Sequence, residues 1–148
     1  MKFLDKSVAL ATTLFNTAYA QRNGYQCYHF SFLFERNRLL AIGQNQSHTP
    51  NAKAIKFSNR FQCPEVYRRQ FLHSEIDAIS RIFSRFYIDS SIKLVNIRLN
   101  KYGELRDSKP CGNCQPVLDG LNITKIWYST NEGEMVCLNS PEVNYKVF

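Results

Sequence analysis

The sequence predicts an α/β fold, a three-layer α/β/α arrangement around a central mixed sheet of five strands. Three observations carry that prediction. Helical and extended patterns alternate after an opening hairpin, the order expected when helices cover both faces of a sheet. The 148 residues suit one domain, spanning 1–148, that buries a core without staples. The link between the last two strands, residues 129–133, has no room for a helix, so those strands form an antiparallel hairpin.

Each element has its own signal. Leu4, Val8, Ala11, Phe15, Ala18 and Arg22 step by three and four, which predicts an amphipathic helix over residues 4–22 ending near Asn23-Gly24. The same stretch mimics a signal peptide, with Lys2, an apolar run and Ala18-Tyr19-Ala20. Asp5 and Lys6 interrupt the apolar run, so a folded helix is the expectation. Residues 26–35 are rich in aromatics and read as a strand. Arg36-Asn37 is a turn, residues 38–42 return, and Gly43 closes the hairpin. Residues 44–63 are polar and read as irregular, with Pro50 and Pro64 as punctuation. Residues 64–87 turn helical, in two pieces meeting near His73, with Ile76, Ile79, Ile82, Phe83 and Phe86 as the apolar stripe. Residues 92–99 alternate as a buried strand, and residues 100–110 form a loop. Pro110 suits the start of a short helix over residues 112–121. Strands at 123–128 and 134–138 follow, joined by a turn at 131–133. The tail from Ser140 is either a short strand or loose.

Composition narrows the function classes. No apolar run approaches the length that spans a bilayer, so no membrane partner is expected. The net charge of +7 comes in patches at Arg36 and Arg38, Lys53 to Arg60, Arg68 and Arg69, and Arg81 and Arg85. Such patches suit phosphate-bearing partners, or are simply a solvated surface with a Lys/Arg surplus. Five cysteines, two of them in a C-x-x-C, fit a reducing compartment and a metal site better than a disulfide scaffold. The expected location is therefore intracellular, cytoplasmic or nuclear. Cys27 and Cys137 read as core strand residues, and Cys63 falls in a loop.

The chemistry is concentrated in two short motifs. His73-Ser74-Glu75 spells H-x-E, and Pro110-Cys111-Gly112-Asn113-Cys114 spells P-C-x-x-C. One His and two Cys give three ligands of the kind zinc prefers, and a catalytic zinc keeps its fourth position open for water. A carboxylate beside that water, but not on the metal, can move protons, and Glu75 is placed to do so. His73 falls at the start of one helix and Cys111 and Cys114 at the start of the next. Positive helix ends would then favour the thiolates. Either motif alone is weak, and the pair in this order is specific. The competing readings are a structural zinc site with a bystander Glu, and a redox cysteine pair.

On these motifs the chain resembles the cytidine deaminase superfamily, zinc enzymes that replace the exocyclic amine of a nucleobase. The resemblance runs from the first helix to about Leu138. It implies a Zn2+ cofactor held by His73, Cys111 and Cys114, with Glu75 as the catalytic proton shuttle. It also implies substrate contacts at Asn45, Ser74 and Pro110. Asn45 belongs to a G-x-N pattern, Gly43-Gln44-Asn45, that the family carries near the end of its second strand; a plain turn residue is the other reading. Ser74 departs from the family's usual Ala. The segment 46–72 is long and basic and carries His48, which stays unassigned. The spacing from His73 to Cys111 is generous. A tight link before the last strand resembles the branches acting on cytosine more than the tRNA adenosine branch. The implied activity is hydrolytic deamination of cytosine to uracil, with single-stranded nucleic acid (DNA or RNA) preferred over free cytidine, deoxycytidine or their monophosphates. An adenine or guanine deaminase and a silent zinc-stabilised binding module are the other readings. Members range from monomers to tetramers, so homo-oligomers stay open. His29, on a strand, reads as packed or hydrogen-bonded rather than as a ligand.

Overall fold

A computed structural model describes residues 1–17, 27–45, 52–61, 72–85, 88–112 and 114–147. The elements, in chain order, are α1 (Lys2–Phe15), β1 (Cys27–Glu35), β2 (Arg38–Gln44), α2 (Ala52–Arg60), α3 (Ser74–Ile82), β3 (Ile92–Asn100), β4 (Leu105–Arg106), α4 (Cys114–Gly120), β5 (Lys125–Ser129), β6 (Glu134–Cys137) and β7 (Ser140–Lys146). The sheet order is β2-β1-β3-β5-β6-β7, with β4 paired to β3 off that path. The β3–β5 pair is parallel and the others are antiparallel, so the sheet is mixed as expected.

Alternation along the strands assigns each face. On β1, Tyr28, Phe30, Phe32 and Phe34 point one way, joined by Val95, Ile97 and Leu99 of β3 and Trp127 of β5. Leu4 and Ala11 of α1 pack on this face. Phe3 meets Phe34 and Trp127 edge-on, with ring centroids 5.9 and 6.2 Å away. Leu33, Leu94 and Ile126 point the other way, into a second core formed with Ala54 and Phe57 of α2, Ile76, Ile79 and Ile82 of α3, and Val117 and Leu118 of α4. One helix covers one face and three cover the other, which makes the three layers.

Several boundaries differ from the sequence expectation. The sheet has seven strands, not five. β4 is only two residues long, and β7 contains Pro141 and Asn144 and joins β6 through a register shift, so neither carries a clean alternation. Tyr145 of β7 donates from its hydroxyl to the Asp5 carboxylate at 2.9 Å, fastening the tail to α1. Residues 44–63, read as irregular, contain α2. It is a polar helix whose buried positions, Ala54, Phe57 and Ser58, still follow the i, i+3, i+4 rule. The first helix ends at Phe15, and the expected end at Asn23-Gly24 lies outside the described residues. Within the helix expected over 64–87, α3 covers Ser74–Ile82; residues 62–71, with Cys63, and Phe86 lie outside the described residues. The helix expected over 112–121 runs Cys114–Gly120.

Gly43 does not close the hairpin; it lies inside β2, opposite Ser31 of β1. A Cβ there would collide with the Ser74 carbonyl and lie 2.5 Å from the Ala78 nitrogen. The side chain is missing because the first turn of α3 rests directly on the strand. Asp77, fully buried on α3, accepts from the Gln44 backbone NH at 3.0 Å and meets Arg81 at 3.2 Å and Lys53 at 3.6 Å. This carboxylate ties the end of β2, α2 and α3 together. As expected, β5 and β6 form an antiparallel pair across a short turn, with Gly133 at φ 80°. Among the described residues no helix is long and apolar enough to cross a membrane.

Candidate metal and proton-transfer site

The two motifs converge. His73 caps the N-terminus of α3 in extended conformation, and Cys111 lies just before α4, its carbonyl accepting from the Cys114 and Gln115 NH groups. Helix propagation from these caps brings three donor atoms together. His73 Nδ1 is 3.2 Å from Cys111 Sγ and 3.4 Å from Cys114 Sγ, and all three ligand atoms lie within 4.8 Å of one another. A tetrahedral zinc ion, about 2.3 Å from sulfur and 2.0 Å from nitrogen, would separate N from S by roughly 3.5 Å. The trio therefore fits such an ion after a shift of a few tenths of an ångström. His73 and Cys111 are half-buried and Cys114 is buried.

The thiols share a proton. Cys111 is lowered to about 3, first by its hydrogen bond from Cys114 and then by His73. Cys114 is raised well above its ordinary value by that same bond and by burial. The backbone NH of Cys114, in the first turn of α4, also lowers Cys111, behind the neighbouring thiol and imidazole. Burial pulls His73 down, but the Cys111 thiolate and the Glu75 charge outweigh it, so His73 is raised.

Glu75 is 4% exposed and lies near enough to Cys114 for its charge to raise that thiol further. Ser74 donates to its Oε1 at 3.0 Å. The Ser74 hydroxyl also lies 2.7 Å from that of Ser31 on β1, which donates to Asn96 Oδ1 on β3 at 2.7 Å. Asn96 has a second set of contacts. Its Nδ2 donates to the Ser108 carbonyl at 3.2 Å, and its own carbonyl accepts from the Ser108 hydroxyl at 2.8 Å. Ser108 is further fixed by the backbone of Ser129 on β5, its NH donating to the Ser129 carbonyl at 3.0 Å. Asn96 is thus hydrogen-bonded to both halves of the site: to the H-x-E half through Ser31, and to the P-C-x-x-C half through the strand end that leads into Pro110 and Cys111. Ser31, Ser74, Asn96, Ser108 and Ser129 are all buried, and every one of these bonds is made without water.

The expected substrate contacts are placed as follows. Asn45 follows β2, half-buried, and accepts from the His29 NH through Oδ1 at 3.1 Å. Ser74 faces Glu75 and Ser31 rather than an open cavity. Pro110 is buried immediately before Cys111. His48 lies outside the described residues, as does Asn113 within the motif. Sequence reasoning missed the Ser31–Asn96–Ser108 chain and the position of His29. The His29 ring is on the site face of β1, opposite Arg98. Burial lowers its pKa, with Glu75, Arg98, His73 and Cys111 near enough to act on its charge. The signal was present in β1, where His29, Ser31 and Leu33 alternate with four aromatics; polar residues on the buried face of an inner strand mark a functional or networked position.

No protein-family model matches the chain, and no curated protein matches it. Among solved structures it is similar to the crystal structure of cytidine deaminase from Mycobacterium leprae, at 16% identity over 90% of this chain and 88% of that chain, with a TM-score of 0.46. Identity and score this low leave the functional reading to the residues of the site.

Proposed function

We infer that the protein is a zinc-dependent hydrolase that deaminates cytosine to uracil. One observation carries this reading: a buried carboxylate, Glu75, beside a His/Cys/Cys group that could hold a metal ion and whose His73 and Cys111 are only half-buried. A structural site has no use for a buried acid at its rim. His73, Cys111 and Cys114 would hold the zinc, which when bound lowers the pKa of a water toward neutrality. Glu75 would take a proton from the water whose oxygen adds to the carbon bearing the amine. Glu75 then gives the proton to the ring nitrogen and helps the amine leave as ammonia. One C–O bond forms, one C–N bond breaks, and water supplies both protons that the products need.

Two further features support the finer reading. The antiparallel β5–β6 pair resembles the cytosine-acting branches and favours cytosine over adenine. Lys53, Lys56 and Arg60 of α2 and Arg81 and Arg85 at the end of α3 are all exposed, and the acids of these helices, Glu75 and Asp77, are buried. A surface with that imbalance suits the phosphates of a single-stranded nucleic acid, in which the base is already unstacked.

The test is to incubate zinc-loaded protein with cytidine, deoxycytidine, their monophosphates, single-stranded DNA and single-stranded RNA, with Glu75→Ala as control. Separation of uracil, hypoxanthine and xanthine products distinguishes the bases. Uracil formed in a polymer and lost in the variant supports the reading. Uracil from free nucleosides or nucleotides alone restricts it to small substrates, and no conversion of any cytosine substrate overturns it.

A further inference from the structure

We propose that Ser31 and Asn96 are positioning residues that aim the Glu75 carboxylate through the Ser74 hydroxyl. The proposal deepens the deaminase reading and rests on it for its kinetic consequence, but the geometry belongs to the chain alone.

Counting protons shows which partners the Ser74 hydroxyl can serve. Three contacts run in line: Glu75 Oε1 to Ser74 Oγ at 3.0 Å, Ser74 Oγ to Ser31 Oγ at 2.7 Å, and Ser31 Oγ to Asn96 Oδ1 at 2.7 Å. Two serine hydroxyls supply two protons for these three contacts. The Asn96 amide cannot turn over to offer a third, because its Nδ2 already donates to the Ser108 carbonyl, and a flipped amide would set oxygen against oxygen. Asn96 Oδ1 is therefore an obligatory acceptor, and the Ser31 proton goes to it. Ser31 Oγ is left as an acceptor facing Ser74. The one proton of Ser74 has two acceptors, Glu75 and Ser31, and serves one at a time.

The Ser74 hydroxyl donates to Oε1 and holds that oxygen, and Ser31, itself fixed by Asn96, keeps the Ser74 oxygen in place from the other side, all within a buried setting. An alanine at position 74 removes the contact to Glu75. An alanine at position 31 leaves the Ser74 hydroxyl with a single acceptor and removes the group that fixes its position.

The experiment uses the full-length zinc-loaded protein and its Ser31→Ala, Ser74→Ala and double variants. The 13C resonance of the Glu75 side-chain carboxyl is followed in each, assigned by its loss in Glu75→Gln, alongside steady-state kinetics on whichever cytosine substrate is turned over. Ser31→Ala is expected to shift the Glu75 resonance and to lower kcat roughly 10- to 100-fold, the scale of a misplaced reacting group. KM should stay within about twofold, because Ser31 acts through Glu75 rather than on the ground-state substrate. Adding Ser31→Ala to Ser74→Ala should change neither quantity further, since residues acting through one hydroxyl are not additive. A general loss of stability would instead add. If Ser31→Ala does not fold, Ser74→Ala, which leaves the sheet network intact, must shift the same resonance. An unmoved Glu75 resonance in Ser74→Ala, or kcat losses that multiply in the double variant, overturns the proposal. A resonance that responds as expected in protein with no turnover supports the positioning role and rejects the deaminase reading instead.

Discussion

Gly43→Ala tests whether the close seating of α3 on β2 is what places Glu75. A methyl at position 43 would lie 2.5 Å from the Ala78 nitrogen, 2.8 Å from the Ala78 Cβ and closer still to the Ser74 carbonyl, whereas real Cβ contacts stay beyond 3.0 Å. All three obstacles are backbone or Cβ atoms of α3, which no rotamer change removes. The helix must back away by about 0.5 Å or more, carrying the Ser74 hydroxyl away from Ser31 and Glu75 away from the ligand trio. Two opposing terms set the stability change. Gly43 has no left-handed φ, so the lost freedom of the unfolded chain favours alanine by about 0.4–1 kcal/mol. Overpacking of a closed interface opposes it at about 1–3 kcal/mol. The clash wins, and a drop of roughly 2–8 °C in melting temperature follows for a chain of this size. Displacement of the acid lowers kcat more than stability suggests, by about 10- to 100-fold. Thermal denaturation and turnover of the zinc-loaded protein measure both, with zinc content as a check on the ligands. A variant that melts and turns over like the parent would show that α3 does not rest on β2 as described.

Three further outcomes are expected. Glu75→Gln keeps its zinc, measured by elemental analysis, while turnover falls by about 10²–10⁴-fold or more; loss of the metal would instead make Glu75 a ligand. Zinc affinity rises with pH. Both Cys114 and His73 have folded pKa values above the ordinary 9.0 and 6.5, so each holds a proton that metal must expel as pH falls. Competition with a chromophoric chelator between pH 6 and 8 should show a tightening of more than tenfold overall, and a constant Kd across that range refutes the shared-proton description. Asp77→Ala leaves the Gln44 NH and two cations without their acceptor, and urea denaturation should show a loss of about 1.5–3 kcal/mol.

The His/Cys/Cys group and Glu75 were readable because their spacing is local: one residue separates His73 from Glu75, and two separate the cysteines. Their convergence also followed from pattern, since each motif opens a helix. The layers were readable for the same reason, as α1, α3 and most strands carry clean periodicity. What was not readable depends on long-range pairing. Ser31 and Asn96 are 65 residues apart and meet only because β1 and β3 align in one register. In isolation a serine or asparagine in a strand reads as solvent-facing, so the polar chain beneath α3 left only the alternation of His29 and Ser31 with aromatics in β1 as its local trace. α2 was missed because its exposed Lys53, Lys56, Asn59 and Arg60 outweigh its short buried stripe. β7 was left open because its partner, β6, accepts it only across an irregularity at Val136/Cys137.

The long spacing between His73 and Cys111 acquires a different meaning once β4 is recognised. The extra residues form a closed hairpin: Asn100 bonds to Glu104 through both backbone and side chain, Gly103 adopts φ 79°, and Leu105 pairs back to Leu99. Its tip, Tyr102, is 74% exposed. The chain is then fastened at Ser108 before it reaches Pro110 and Cys111. That fastening, and not the hairpin tip, fixes the approach to Cys111, so a change at the exposed Tyr102 is expected to leave the spacing of the His/Cys/Cys trio unaltered.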